Sequence, residues 1–306
     1  MNIIRMTGGI GNQMFTYALY LKFKSLGIEC YIDDFSEYEG HDNARPLRLS
    51  VFDIEYPRVP RDMYNEYTDS YMDFFSRVRR KVFGRKQKDY TEVSLNYDAN
   101  LLKQDGKYLI GYFQTEKYFE DIKEQVLSEF KFNNETKLKS AKYIQTNGLT
   151  GLLEPNPQSI SVLKSNTVSL HIRRGDYLNL PDTYGEVCNE DYLDRAIKHI
   201  MGKVEDAHFI IFTNDDEWTE EWIGRYVISN PKCKDRLHIF KGTTEETGYL
   251  DLYIMSQCSH HIIANSSFSW WGAYLGVNSK KIIVAPKVWN RASEQTDIYT
   301  ENMILL

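Results

Sequence analysis

Apolar and polar positions alternate through Val168-Ser169-Leu170-His171-Ile172-Arg173, the period-two signature of a β-strand. Val168, Leu170 and Ile172 share one face, and Ser169, His171 and Arg173 share the other. Gly175 ends the run and Asp176 falls in the turn after it. Downstream, strand and helix patterns take turns. After an irregular loop over Leu178 to Val187, a helix is predicted over about Glu190 to Gly202. A strand over His208 to Thr213 ends in Asn214-Asp215-Asp216, and another covers Leu237 to Phe240. A helix over Gly248 to Cys258, a strand over His260 to Ala264, a helix opening at Ser266 and a strand over Lys281 to Pro286 complete the series. The Ser266 hydroxyl stands where an N-cap is expected.

The first half reads the same way. Ile3 to Met6 is a strand, a glycine-rich turn follows, Met14 to Leu26 is a helix stopped by Gly27, and Ile28 to Asp33 is a strand. Tyr108 to Gln114 reads as a buried strand. Glu116 to Phe130 reads as one amphipathic helix, with Phe119, Ile122, Val126 and Phe130 at spacings of three and four. Repeated strand–helix pairs predict an α/β fold with parallel sheets. Turn steps at Asn147-Gly148, Glu154-Pro155 and Asn156-Pro157 place a linker within Asn133 to Ser165, and so domains at 1–150 and 160–306.

In open parallel sheets ligands bind at the carboxyl ends of the strands, and the polar clusters gather there. His171, Arg173, Arg174 and Asp176 follow one strand, Asn214-Asp215-Asp216 another, Ser266-Ser267 a third. An Arg fork suits phosphate; a surface Arg–Asp pair capping a strand is the plainer reading. The amides at Ser266-Ser267 open a helix, where the backbone also favours an anion. Near the start, Gly9-x-Gly11 followed by Asp33-Asp34 imitates a dinucleotide fingerprint. The third glycine position holds Met14, however, and Asn12 and Gln13 stand where close approach to a pyrophosphate is wanted.

Composition narrows the classes. A net charge of −6 argues against a general nucleic-acid binder. The four cysteines, Cys30, Cys188, Cys233 and Cys258, form no C-x-x-C pair, so the expectation is reduced thiols in a cytosol. No signal-like or membrane-spanning run is seen, which points to a cytoplasmic protein. Arg77 to Lys88 holds seven basic residues in twelve, and Phe74, Phe75, Val78, Val82 and Phe83 supply an apolar side. A solvated basic helix explains it; peripheral docking on an anionic membrane is the sharper alternative.

Three blocks in order carry a resemblance: Gly8-Gly9-Ile10-Gly11-Asn12-Gln13-Met14-Phe15, His171-Ile172-Arg173-Arg174-Gly175-Asp176-Tyr177, and Asn265-Ser266-Ser267-Phe268-Ser269-Trp270-Trp271-Gly272. With them the chain resembles, over nearly its whole length, the bacterial-type glycosyltransferase family 11 fucosyltransferases. The resemblance implies a GT-B fold, two Rossmann-like domains facing a cleft. The first would be the acceptor side and the second the GDP-fucose side. It implies inverting transfer of fucose from GDP-fucose to the 2-hydroxyl of a terminal β-galactoside in a surface glycan, with a fucosyl transfer of another linkage as the nearest alternative.

The same resemblance places Asn12, Gln13 and Arg174 near the donor and Arg173 on its pyrophosphate. Ser266 and Ser267 would bind phosphate, Phe268 would face guanine, Asp215 or Asp216 would read it, and Asn214 would also lie on the donor side. Arg173, His171 and Asp176 are the catalytic candidates, and Asp182 or Glu186 the candidate base. No Asp-x-Asp occurs in the sequence, so no metal is expected, with Arg in the cation's role. Trp270 and Trp271 are expected to pack behind the phosphate loop.

Overall fold

The computed structural model describes residues 1–40, 45–86, 88–154, 163–185 and 187–306. The chain divides into two compact units, Met1–Phe130 and Lys131–Leu306. The helix Asn134–Thr146, α5, therefore belongs with the second unit, where it packs on the helix Tyr249–Gln257. Turn signals alone assign residues up to 150 to the first domain. Turn chemistry marks where a chain bends, whereas the unit boundary depends on which sheet a helix can cover.

The first unit carries β1 (Asn2–Arg5), α1 (Ile10–Ser25), β2 (Cys30–Asp33), α2 (Arg61–Thr68), α3 (Phe74–Phe83), β3 (Asp89–Thr91), β4 (Tyr108–Ile110) and α4 (Lys123–Glu129). Its four strands run parallel in the order β2-β1-β4-β3. Ile4 on β1 and Met14, Phe15, Ala18 and Leu19 on α1 are fully buried, while Ile3, on the other face of the strand, packs with Phe35, Val59, Tyr67 and Tyr108. α1 starts four residues earlier than its apolar period suggests, with Gly9 at its N-cap and Asn12 and Gln13 in its first turns. The helix predicted over Glu116 to Phe130 is broken. Thr115 caps a short turn by accepting from the Lys117 amide, a second turn spans Glu120–Ile122, and only α4 is α-helical.

The second unit continues with β5 (Thr167–Ile172), α6 (Glu190–Met201), β6 (His208–Thr213), α7 (Asp216–Ser229), β7 (Leu237–Ile239), α8 (Tyr249–Gln257), β8 (His260–Ile262), α9 (Ser267–Tyr274), β9 (Ile283–Ala285) and β10 (Met303–Leu305). All six strands are parallel, in the order β10-β9-β8-β5-β6-β7. Counted within the unit, this is the doubly wound order 3-2-1-4-5-6. β5 is central and buried on both faces, which explains why Ser169 and His171 are as enclosed as Val168 and Leu170.

α6 shows how sequence and packing agree. The Asn189 side chain accepts from the Tyr192 amide, Glu190 and Asp191 occupy the first turn, and Tyr192, Leu193, Ala196, Ile197 and Ile200 form the buried stripe. Trp270 and Trp271 are both fully buried, and the Trp270 indole N–H donates to the Ile298 carbonyl at 2.7 Å. Both belong to α9, and they are taken up in the core, as expected from the sequence.

Candidate active site

In a doubly wound sheet the order of strands reverses at one point, and the loops there diverge to leave a crevice. In the second unit that point lies between β5 and β8. The loop after β5 carries Arg173 and Arg174; the loop after β8 ends at Ser266, and Ser267 and Phe268 open α9. Tyr177 joins them, its hydroxyl donating to the Asn265 carbonyl at 2.8 Å.

The two arginines are held differently. Arg173 donates through Nη2 to Asp176 Oδ2 at 2.7 Å. Arg174 reaches sideways, with Nε 3.3 Å from Asp215 Oδ2 and its guanidinium 4.0 Å from the Trp218 ring. The Arg174 amide donates to Asn214 Oδ1 at 2.9 Å, and the Asn214 amide group lies 3.4 Å from Asp176 Oδ1. A Cβ on Gly175 would stand 2.5 Å from Asn214 Nδ2, so a larger residue there would displace the Asn214 side chain.

Asn214 and Asp215 thus organise the turn. Asp215 also caps α7 by accepting from the Trp218 amide at 3.2 Å, while Asp216 is exposed in the first turn of that helix. Of the three polar residues read from the sequence as one cluster, two have structural partners.

His171 is nearly sealed. Its Nδ1 lies 2.9 Å from Ser269 Oγ, and its ring centroid is 5.7 Å from that of Phe268. Burial, with Arg173 adding to it, depresses the imidazole to about 3. It is neutral at neutral pH and serves as a fixed polar strut between β5 and α9. α9 itself has no side-chain cap: Ser266 occupies the N-cap position without bonding the helix. The capping role expected of its hydroxyl is not filled. The first amides of a helix have no partner within it, and here they open toward the switch point.

One residue that the sequence patterns did not single out stands at the same sheet edge. Asp251, in the first turn of α8, accepts from Thr243 Oγ1 at 3.0 Å, while its Oδ1 is closed off from solvent without any partner. Burial pushes its carboxyl up to about 8, and the Asp216 charge adds to the effect. An unsatisfied buried carboxyl oxygen is costly. The only sequence signal is an Asp in an otherwise apolar helix, Tyr249-Leu250-Asp251-Leu252. Asp182 lies on the exposed turn before Gly185, and Glu186 lies outside the described residues.

In the first unit the reversal lies between β1 and β4. Gln114, beyond β4, donates through Nε2 to Asn12 Oδ1 at 2.8 Å. Gly8 has a φ of +74°, and a Cβ there would meet Asn12 Nδ2 at 2.5 Å. Gln13 is fully buried and spent on the backbone: it donates to the Gly8 and Pro46 carbonyls and accepts from the Arg48 amide. A donor-contacting side chain is expected at Gln13 from the resemblance; its three bonds give it a structural task instead.

The dinucleotide alternative loses its acidic element as well. Asp33 accepts from the Phe35 and Ser36 amides, the Ser36 hydroxyl and Tyr108, and Asp34 binds Arg58 and Tyr56. Neither carboxylate is left for a ribose.

Two parallel α/β units, one with an arginine and an uncapped helix at its switch point, give a crevice that favours an anion. The sequence profile of glycosyl transferase family 11 matches residues 86–305, and the chain belongs to that family. It is a glycosyltransferase, taking a nucleotide-sugar donor and a glycan acceptor. The O-antigen biosynthesis glycosyltransferase WbnK of Escherichia coli is 27% identical, over 98% of this chain and 99% of the relative. An alpha-1,2-colitosyltransferase of Escherichia coli is 27% identical, over 95% and 93%. The mouse galactoside alpha-(1,2)-fucosyltransferase 1 is 28% identical over 52% of this chain and 38% of the relative. Among solved structures, the ADP-heptose LPS heptosyltransferase II of Escherichia coli aligns over 100% of this chain and 90% of its own at a TM-score of 0.46 and 10% identity.

Proposed function

We propose that the chain transfers L-fucose from GDP-fucose to the 2-hydroxyl of a terminal β-galactoside, with inversion and without a metal. The observation that carries this is the second unit's switch point, where Arg173 and the open N-terminus of α9 flank one crevice. Both favour a pyrophosphate. Asp251, a buried carboxyl with one unpartnered oxygen, offers a polar group to the edge of a base. Phe268, partly exposed beside His171, offers a ring to a base or sugar.

In this reading the acceptor O2 attacks the fucose anomeric carbon from the side opposite GDP. The C–O bond to the β-phosphate breaks, and its electron pair leaves with GDP. Arg173 and the α9 amides stabilise the growing phosphate charge. Asp176 holds Arg173 in the direction of that charge. The acceptor proton goes to a carboxylate after Arg173, either Asp182 or Glu186. The protein works on glycans of the O-antigen type, in the cytoplasm, on an acceptor carried by a lipid. Within the same frame GDP-colitose is a second donor, supported by the near-full-length alignment with the colitosyltransferase. Colitose is fucose without its 3-hydroxyl, so the same GDP site would serve.

The test is a transfer assay in EDTA, with GDP-fucose and GDP-colitose offered separately to a panel of β-galactosides, on wild type and Arg173→Ala. Fucosylated product that disappears in the variant supports the reading, and linkage analysis fixes the position. Product from GDP-colitose alone moves the assignment to the second donor. Activity abolished by EDTA and restored by a divalent cation overturns the metal-free mechanism.

A further inference from the structure

α3 in the first unit has its apolar face outward. No residue of Phe74–Phe83 is buried. Phe74, Phe75, Val82 and Phe83 are 72%, 83%, 65% and 81% exposed, and Met72 just before the helix is 77% exposed. At 3.6 residues per turn, Phe74, Phe75, Val78 and Val82 fall within one arc of about 100°. Such a contiguous apolar patch is uncommon on a soluble surface.

The helix is fastened by its back. Arg80, opposite that arc, donates to the Asp69 and Tyr71 carbonyls at 2.8 and 2.6 Å, and Arg79 pairs with the Asp69 carboxylate. Asp73 caps the N-terminus by accepting from the Ser76 amide at 2.9 Å. The apolar face is therefore presented by a fixed helix and not by a loose segment.

Its charge identifies what fits it. Arg77 and Lys81 run along one edge of the apolar arc, with Arg85 and Lys86 just past the helix. All four are exposed, and none of their side chains has an ion pair among the described residues. From Phe74 to Lys88 there is no acidic residue, in a chain whose net charge is −6. An apolar ridge edged by unpaired cations matches the boundary of an anionic bilayer, with acyl chains under the phenylalanines and lipid phosphates beside Arg77 and Lys81. Among the described residues no helix is long and apolar enough to cross a membrane, so the contact is interfacial.

The geometry points to α3 as a membrane-docking helix that seats the first unit on an anionic lipid surface through Phe74, Phe75, Val78 and Val82. This assignment is independent of which sugar is transferred. It concerns a face remote in sequence from the residues that organise either switch point.

The experiment is sedimentation of the full-length protein with vesicles of phosphatidylcholine alone and of phosphatidylcholine with phosphatidylglycerol, at low and high salt. Wild type should bind the phosphatidylglycerol vesicles and release partly in high salt. Phe74→Ser with Phe75→Ser should lower the partition coefficient at least tenfold at every salt concentration. Arg77→Glu with Lys81→Glu should abolish the salt-sensitive part, and transfer to a soluble acceptor should be unchanged in both variants. Circular dichroism establishes that each variant is folded. Absence of wild-type binding at low salt overturns the assignment, as does binding indifferent to the phenylalanine changes. Self-association of wild type that the same changes dissolve, without vesicle binding, overturns it in favour of a second copy.

Discussion

Arg173 and His171 lie two residues apart and do opposite things. Arg173 is held by Asp176 in the loop after β5, while His171 is sealed against Ser269. Arg173→Lys keeps the charge and loses the planar fork, so kcat should fall roughly hundredfold or more, measured by GDP release with saturating acceptor. His171 affects stability through pH. Its ordinary value is 6.5 and its native value about 3. Between these limits the unfolded chain takes up a proton that the native ring refuses. Stability is therefore lost as pH falls through that window, by up to about 1.4 kcal/mol per pH unit from this residue. Urea midpoints at pH 7 and pH 5 should separate more in wild type than in His171→Gln. His261, held well below its ordinary value by the same burial, retains its own slope in both proteins.

At the scale of elements, the site is made by the loops that leave the strands. β5 and β8 are apolar and central; the loops after them hold the chemistry. Such loops need backbone that other residues cannot supply. Gly8, with its left-handed φ and its contact with Asn12, should tolerate alanine poorly. Gly8→Ala should cost about 1–2 kcal/mol from φ alone, read as a shift of the urea midpoint, and should displace the Asn12 side chain and so lower kcat/KM as well. In the β4 loop, the Gly111 to Gln114 stretch is pinned by Glu92, which accepts from the Tyr112 and Phe113 amides at 2.8 and 3.0 Å. Burial pushes the Glu92 carboxyl up to about 7, above its ordinary 4.5. A raised native value means stability that is fully present below 4.5 and lost as pH rises through 7. Glu92→Gln should flatten that loss, seen by thermal melts between pH 5 and pH 8.

At the scale of the molecule, the two units have separate sheets and separate cores. A ligand stabilises only the unit that binds it. In calorimetry, GDP at about a hundredfold over its dissociation constant should add about 2.7 kcal/mol to the transition of the unit holding Arg173. Arg173→Ala should remove that gain. Equal stabilisation of wild type and variant would mean that GDP binds elsewhere.

Eight of the ten strands among the described residues, the parallel α/β class and the three motif blocks were legible in the sequence because each rests on local periodicity or on adjacent residues; β3 and β10 were not read from it. Placement of the polar clusters at strand ends came from the same alternation. Other features depended on which segments meet. The strand order set the switch points. Packing on α8 moved α5 into the second unit. Long-range bonds to Pro46 and Arg48 took Gln13 out of the ligand set. Burial beneath neighbouring elements turned Asp251 from an ordinary helical aspartate into a carboxyl with an unmet oxygen. α3 shows the division most clearly. Its apolar period was visible from the start, but an amphipathic pattern does not say which face is covered. The fold, by tying Arg79 and Arg80 to Asp69, turned the phenylalanines outward.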